Sequence, residues 1–373
     1  MSASDASTSL DEILCSARST LDSEEARLFQ ARQAIPDIAT QHDNLLSDLY
    51  KSLHSSPTTA LQTVRYIGCQ LLDRTLTPSS SGASVVDDRP LYWTRLMGLI
   101  TIRHALSNRG SSRRERIFKA CKLFESESRN LPARTSNSLK PDKDPIVLSC
   151  FDPFNLDNNL AQSNPSAVVA LTLAHETILG HPLVVLIFPV RYDDFDAGIV
   201  EETFEPIFCT SNRLVLTISM GRNRFDLERF PGRRRSSKAP DNKNRIGLVN
   251  GKPAPSTDGP EFLEFTLPAL SMTEVKGDWS VVDNRCVTTL ETGELHADSL
   301  DELADKTAFD GSGGGFLSNE ISYRSRLLHR DLGAQIPLGH LHVPRISNFD
   351  STILSNMTSQ TRALIVAALE SSK

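Results

Sequence analysis

Three short runs in the second half of the chain, "PIVLSCF" (145–151), "HPLVVLIFPV" (181–190) and "NRLVLTISMG" (212–221), restrict the fold more than any other feature. They are rich in Val, Ile and Leu, as strands buried on both faces of a parallel sheet must be. Parallel neighbours need a crossover of about a dozen residues or more. The intervening "PSAVVALTLAHETIL" and "DAGIVEETFEPIFC" have that length and a helical character. The expected architecture is a three-layer α/β/α sandwich around a mixed, mostly parallel sheet. In such sheets ligands collect beyond the carboxyl ends of the strands, which directs attention to the loops "CFDPFN" and "SMGRNR".

The first part of the chain has a different texture. In "LDEILCSARSTLDSEEARLFQARQAI", Leu10, Ile13, Leu14, Ala17 and Leu21 recur at spacings of three and four, the signature of an amphipathic helix. Similar patterns in "TALQTVRYIGCQLLDRTL" and "PLYWTRLMGLITIRHAL" flank the linker-like "TPSSSGASVVDD". At 373 residues the chain exceeds the usual domain size. The aperiodic "ARTSNSLKPDKDP" suits a boundary, so the expected division is an all-helical region over 1–140, of unassigned role, and an α/β domain over 141–373.

Several classes of function are disfavoured. No apolar run approaches the roughly 20 residues that cross a bilayer, and the first residues lack the basic start and apolar core of a secretory signal. A non-membrane, cytoplasmic protein is expected. The six cysteines are scattered without a C-x-x-C pair, which argues for reduced thiols and against a zinc knuckle. A net charge of -6 gives no general attraction to nucleic acid. The arginine clusters "RGSSRRERIFKACK" (109–122) and "GRRRSS" (232–237) lack interleaved aromatics and read as solvated basic faces. His175 and His181 of "HETILGH" are six apart, roughly 240° around a helix, and so do not make a zinc-protease pair. "GSGGG" (311–315) lacks the GxGxxG spacing of a dinucleotide site and reads as a mobile loop.

A set of ordered segments is more specific. "SCFDPFNLDNNLAQSNPS" (149–166), "FPVRYD" (188–193), "MGRNRFDLERF" (220–230), "PDN" (240–242), "GPEFLEFTLP" (259–268), "GGGFLSNEISYRS" (313–325) and "GHLHVPRI" (339–346) resemble, in sequence and order, the pyroglutamyl peptidase I family. Those pyrrolidone-carboxylate peptidases are hydrolases, omega-peptidases that remove an N-terminal pyroglutamate from peptides. The resemblance implies catalytic roles for Glu228 and His342. It places Ser318 where the family has its nucleophilic cysteine. Phe151 and Phe154 match the phenylalanines that hold the lactam ring, and Phe316 and Leu317 the apolar pair before the nucleophile. Lys238 and Ala239 stand where the family has arginine and isoleucine beside the substrate, and Asn155 and Leu156 where it has paired glycines. The implied partners are peptides with N-terminal pyroglutamate and other copies of the chain, with neither metal nor cofactor.

The chemistry can be argued from the side chains themselves. Acyl transfer needs a nucleophile, a base, an acid that orients the base, and donors for the oxyanion. Ser318 stands at the start of a helical pattern, where unpaired N–H groups and the dipole favour anions. A cysteine of ordinary pKa about 8.5 can be drawn to its thiolate in such a place, whereas a serine needs its proton removed as it attacks. Singly, Ser318 reads as a helix cap, His342 as a satisfied buried histidine, Glu228 as a surface partner of arginine, and the phenylalanines as core. Two functions therefore stand open: a Ser/His/Glu peptidase, or a pseudoenzyme that keeps the pocket for binding. The acidic "ETGELHADSLDELADK" is expected as an added surface helix or lid.

Overall fold

The computed structural model describes residues 8–77, 85–107, 113–131 and 143–371. The linker-like "TPSSSGASVVDD", the boundary stretch "ARTSNSLKPDKDP" and the start of "RGSSRRERIFKACK" lie largely outside these described residues. Two units are present, and each is taken by itself.

The first unit draws on Met1–Gly82, Asp87–Ser138 and Asn155–Gln162, within the described residues, and is helical. Helix α1 (Leu10–Ala17) starts at a capping box. Glu12 N donates to Ser9 Oγ at 3.2 Å while Ser9 N donates to Glu12 Oε2 at 2.8 Å. It buries Leu10, Ile13 and Leu14, but the periodicity through Leu21 does not continue as one helix. Glu25 N donates to the Asp22 side chain, so the chain restarts in Ser23–Ala26 and then Leu28–Ala34. The longer helices are α2 (Asp43–Ser55), α3 (Ala60–Leu76), α4 (Arg89–Ala105) and α5 (Arg113–Ser128). Helix α4 is the centre of this unit, with every residue from Pro90 to Ile102 buried, and its buried Arg95 is satisfied by donating from Nε to Ser128 Oγ at 3.0 Å. Asn155 has φ 65°, a left-handed conformation that asparagine tolerates better than most non-glycine residues.

The second unit draws, within the described residues, on Ala83–Val86, Leu139–Phe154 and Ser163–Lys373. Its strands are β1 (Ile146–Phe151), β2 (Thr177–Ile178), β3 (His181–Phe188), β4 (Leu214–Met220), β5 (Phe225–Glu228), β6 (Arg234–Arg235), β7 (Ala254–Pro255), β8 (Val281–Asn284), β9 (Cys286–Thr289), β10 (Gly293–His296), β11 (Ala308–Asp310) and β12 (Leu338–Val343). The main sheet has seven strands in the order β2-β3-β1-β4-β12-β5-β8. The pairs β3/β1, β1/β4, β4/β12 and β5/β8 are parallel, and β2/β3 and β12/β5 antiparallel. Helices α6 (Pro165–Leu173) and α9 (Ser351–Ser371) pack together, as do α7 (Ile199–Phe208) and α8 (Leu317–Asp331), which makes the two outer layers. This is the mixed, mostly parallel α/β/α sandwich expected from the apolar runs. β1 and β12 are buried throughout, and β4 up to Met220.

Two local expectations are corrected. Helix α6 stops at Leu173, and the following residues turn into a β2–β3 hairpin through Leu179 (φ 51°) and Gly180 (φ 83°). The acidic segment is neither helix nor lid. Gly293–His296 pairs with β9 in a three-stranded sheet, β10-β9-β11, and Leu300–Leu303 is a single 3-10 turn. That small sheet covers Phe230, Phe262, Val287, Ala297, Leu303 and Ala308, so its apolar residues belong to a satellite core. Among the described residues no helix is long and apolar enough to cross a membrane.

Candidate active site

The chain leaves β1 toward β3 on one side and later places β4 on the other, so the carboxyl ends of β1 and β4 form the position where open α/β sheets bind ligands. β12 lies parallel beside β4, with His342 in register with Ser219. β5 runs antiparallel to β12 and carries Glu228 at its last position. His342 Nδ1 donates to Glu228 Oε1 at 2.5 Å, with the carboxylate 1% and the imidazole 8% exposed. A buried carboxylate on Nδ1 fixes the ring's orientation and tautomer, which leaves Nε2 to exchange protons with a ligand. Glu228 is held on its other side by Asn284 Nδ2, which donates to Oε2 at 2.8 Å.

Backbone packing makes room for this pair. A Cβ built on Gly221 would stand 2.5 Å from His342 Cβ, so the loop leaving β4 passes the histidine only as glycine. Gly313 lies beside the dyad, with room for a Cβ that would stand 3.5 Å from both His342 Cε1 and Glu228 Cγ. The glycine segment is not the mobile loop expected. It follows strand β11, turns on a Gly314 N to Gly311 O hydrogen bond of 2.9 Å, and packs tightly. A Cβ on Gly315 would fall 1.6 Å from Ser236 Oγ, and the Ser236 hydroxyl itself donates to Asp310. Burial raises the Asp310 carboxyl above its usual range.

Ser318 is the second residue of α8 and half-buried; Phe316 occupies the N-cap position. Among the described residues its hydroxyl makes no hydrogen bond, to His342 or to any other group. Asn319 beside it anchors the helix start, donating to Gly232 O at 2.7 Å and accepting from Gly232 N at 2.9 Å. Leu317 is buried. Phe154 and Phe316 face one another at 6.3 Å between ring centroids, and Tyr192 meets Phe316 edge-on at 5.7 Å. Phe151, 3% exposed, packs instead on Phe188 and Phe195 in the core. Lys238 and Ala239 are exposed. The adjacent Asp241 and Asn242 are buried and tie three loops together: Tyr192 N donates to Asp241 at 2.8 Å, and Asn242 donates to Pro153 O at 2.9 Å and to Val190 O.

The solvated basic face expected for "GRRRSS" is also corrected. Arg233 and Arg234 pair with Glu261, and Arg235 grips Glu320 of α8 through two bonds of 2.6 and 2.7 Å. The cluster is an internal bracket, with Arg235 only 11% exposed.

His340 escaped the sequence reading although it lies two residues from His342 on the same face of β12. The Thr217 hydroxyl donates to Gly339 O, which leaves its oxygen to accept from His340 Nδ1 at 2.7 Å, and Ser219 then donates to Nε2 at 2.8 Å. The His340 ring lies edge-on to His342 at 4.9 Å. Burial first, and the neighbouring His342 second, push its pKa well below that of an ordinary histidine. The unfolded chain protonates this residue below about pH 6.5 and the folded one does not. Its stabilising contribution is therefore full above that pH and is lost as pH falls toward the folded pKa. His42, His104 and His329 are shifted the same way by burial. Urea unfolding at pH 7.5 and 5 should show a decline in stability that becomes shallower by up to about 1.4 kcal/mol per pH unit in His340→Gln. An identical slope in the variant would refute the assignment.

The second unit is thus an α/β sandwich with a buried carboxylate–imidazole pair at the carboxyl edge of its sheet. The family described as "PA0049, C-terminal domain" matches residues 145–259 and 282–347, which include both members of that pair. An uncharacterized protein, PA0049 of Pseudomonas aeruginosa strain PAO1, is 25% identical over 358 residues, with 70% of this chain and 64% of that protein covered. The chain thus spans less than two thirds of that relative. Among solved structures, the pyrrolidone carboxyl peptidase of Pyrococcus furiosus is 18% identical, with 61% of this chain and 99% of that one covered at a TM-score of 0.44. A mutant of the same enzyme is 19% identical, with 61% and 100% covered at the same TM-score. These values are too low for that enzyme's activity to be carried over.

Proposed function

We propose that the second unit is a peptidase that releases N-terminal pyroglutamate, with Ser318 as nucleophile, His342 as acid and base, and Glu228 orienting it. The observation that supports this most is the 2.5 Å bond between the buried Glu228 and His342, with Gly313 of the segment leading to Ser318 near enough that a Cβ on it would touch the imidazole. In this reading Ser318 Oγ attacks the carbonyl that joins the lactam to the next residue. His342 Nε2 takes the serine proton and returns it to the departing amine. Water then releases pyroglutamate by the same exchange. Phe154, Phe316 and Leu317 would face the flat lactam, with Phe151 supporting them from the core and Lys238 and Ala239 at the rim. A homo-oligomer and a cytoplasmic location belong to the same reading.

One observation favours a second reading, a binding module without turnover: the Ser318 hydroxyl is not hydrogen-bonded to His342. A chromogenic pyroglutamyl amide separates the two. Turnover by the parent, abolished in Ser318→Ala and equalled or exceeded in Ser318→Cys, supports the peptidase. Tight binding of pyroglutamyl peptides with no turnover in the parent supports the module. Neither binding nor turnover in any of the three proteins refutes both.

A further inference from the structure

Asn284 ends β8 directly beside Glu228 of β5, in register. Its side chain is buried and uses both of its N–H donors and one of the two lone pairs of its carbonyl oxygen. Nδ2 donates to Glu228 Oε2 at 2.8 Å and to Ser312 O at 2.9 Å, while Oδ1 accepts from Cys286 N at 3.3 Å. The first bond decides which carboxylate oxygen is left for His342. The second holds the backbone one residue before Gly313, which lies beside His342 Cε1 with room for one Cβ between them. The third starts the small sheet, which occupies the chain between Asn284 and the glycine segment. One amide therefore clamps the chain where it leaves the main sheet and where it returns.

We infer that Asn284 is a positioning residue: it orients Glu228 toward His342 and holds the glycine segment in place beside the imidazole, so that proton transfer at His342 depends on it. This rests on the reading of His342 as the proton carrier. Titratable and charged groups around the dyad include His340 on β12, Asp226 opposite His342 with its partners Arg222 and Arg224, and Cys286 beyond Asn284 with Glu294 of β10 against it. Asn284 is the amide between the carboxylate and the loop.

Asn284→Asp keeps the shape and loses both donated bonds, and Asn284→Ala loses all three bonds. In the full chain both should lower kcat for a pyroglutamyl amide by roughly 10- to 100-fold, by analogy with the loss of a partner that orients a metal-binding histidine or carboxylate, with KM within about twofold. The Asn284→Asp rate relative to the parent should rise as pH falls, because a protonated carboxyl regains one donor to Glu228 whereas an ionised one repels it. The Asn284→Ala ratio should stay flat. Independently of turnover, the downfield proton resonance of His342 Nδ1–H, assigned by its absence in His342→Ala, should move or broaden in both variants. An unmoved resonance with unchanged kcat and a flat ratio, alongside lower thermal stability, makes Asn284 a cross-link of the fold and overturns the inference. A resonance that responds in a parent without turnover preserves the coupling while removing the peptidase reading.

Discussion

Replacing His342 with alanine should lower hydrolysis of a pyroglutamyl amide by roughly 10²- to 10⁴-fold, the usual contribution of a positioned acid–base group. The imidazole is committed on one nitrogen only, since Nδ1 donates to Glu228 and no described residue bonds Nε2. Its surroundings admit no substitute. Gly221 lies within 2.5 Å of its Cβ if given a side chain, and His340 is fixed between two hydroxyls and fully buried. Alanine also removes the donor to Glu228 Oε1, while Asn284 still holds Oε2. Thermal unfolding should therefore accompany the rates, so that a lost fold is not read as lost chemistry. A folded variant with a rate within a few-fold of the parent would exclude His342 from proton transfer.

The parts of this molecule legible in the sequence are those where one local rule decides the outcome. Uninterrupted Val, Ile and Leu marked β1, β3 and β4 to within about two residues, because strands buried on both faces cannot be polar. The short β2 and the β9–β11 sheet were not legible. β2 is only two residues long and is a strand through its hairpin with β3, while the β9–β11 sheet packs on Phe230 and Phe262, which are distant in sequence. At the site, Glu228 and His342 are singled out only by a resemblance, and the structure brings their side chains within a hydrogen bond. Asn284 and His340 had no local signal. An asparagine at a strand end reads as a turn residue and a buried histidine as core, and only the register of β8 on β5 and of β12 on β4 gives each its partners. Arg235 failed in the opposite sense, because a run of arginines looks solvated until its carboxylates appear from 85 residues away.

That arginine carries the largest expected effect on stability. Glu320 is 1% exposed within the first turns of α8 and is gripped at both oxygens by Arg235, while Arg324 donates to Oε1 at 3.0 Å and also pairs with Glu201. Burial opposes the Arg235 charge, but its bonds to Glu320 and to Asp196 outweigh that and raise its pKa further. The same guanidinium lies 4.9 Å from the ring centroid of Tyr192, whose edge meets Phe316 just before Ser318. Breaking a buried pair by removing one partner costs about 3–5 kcal/mol, because the other charge stays in low dielectric. Arg235→Met should accordingly lower the Tm by roughly 10 °C. Arg235→Lys should lie between, since an ammonium keeps the charge but not the two-point grip. Arg245 serves as the contrast: it pairs with Asp193 but is 58% exposed, so Arg245→Met should cost under about 1 kcal/mol. Calorimetric melts that rank Arg235→Met with Arg245→Met would mean that Glu320 is held well enough by Arg324 alone. The run at 233–235 would then contribute no more than a solvated basic face. A separation of the expected size would instead tie the first turn of α8, and with it Ser318, to β6 through a charge pair that solvent barely reaches.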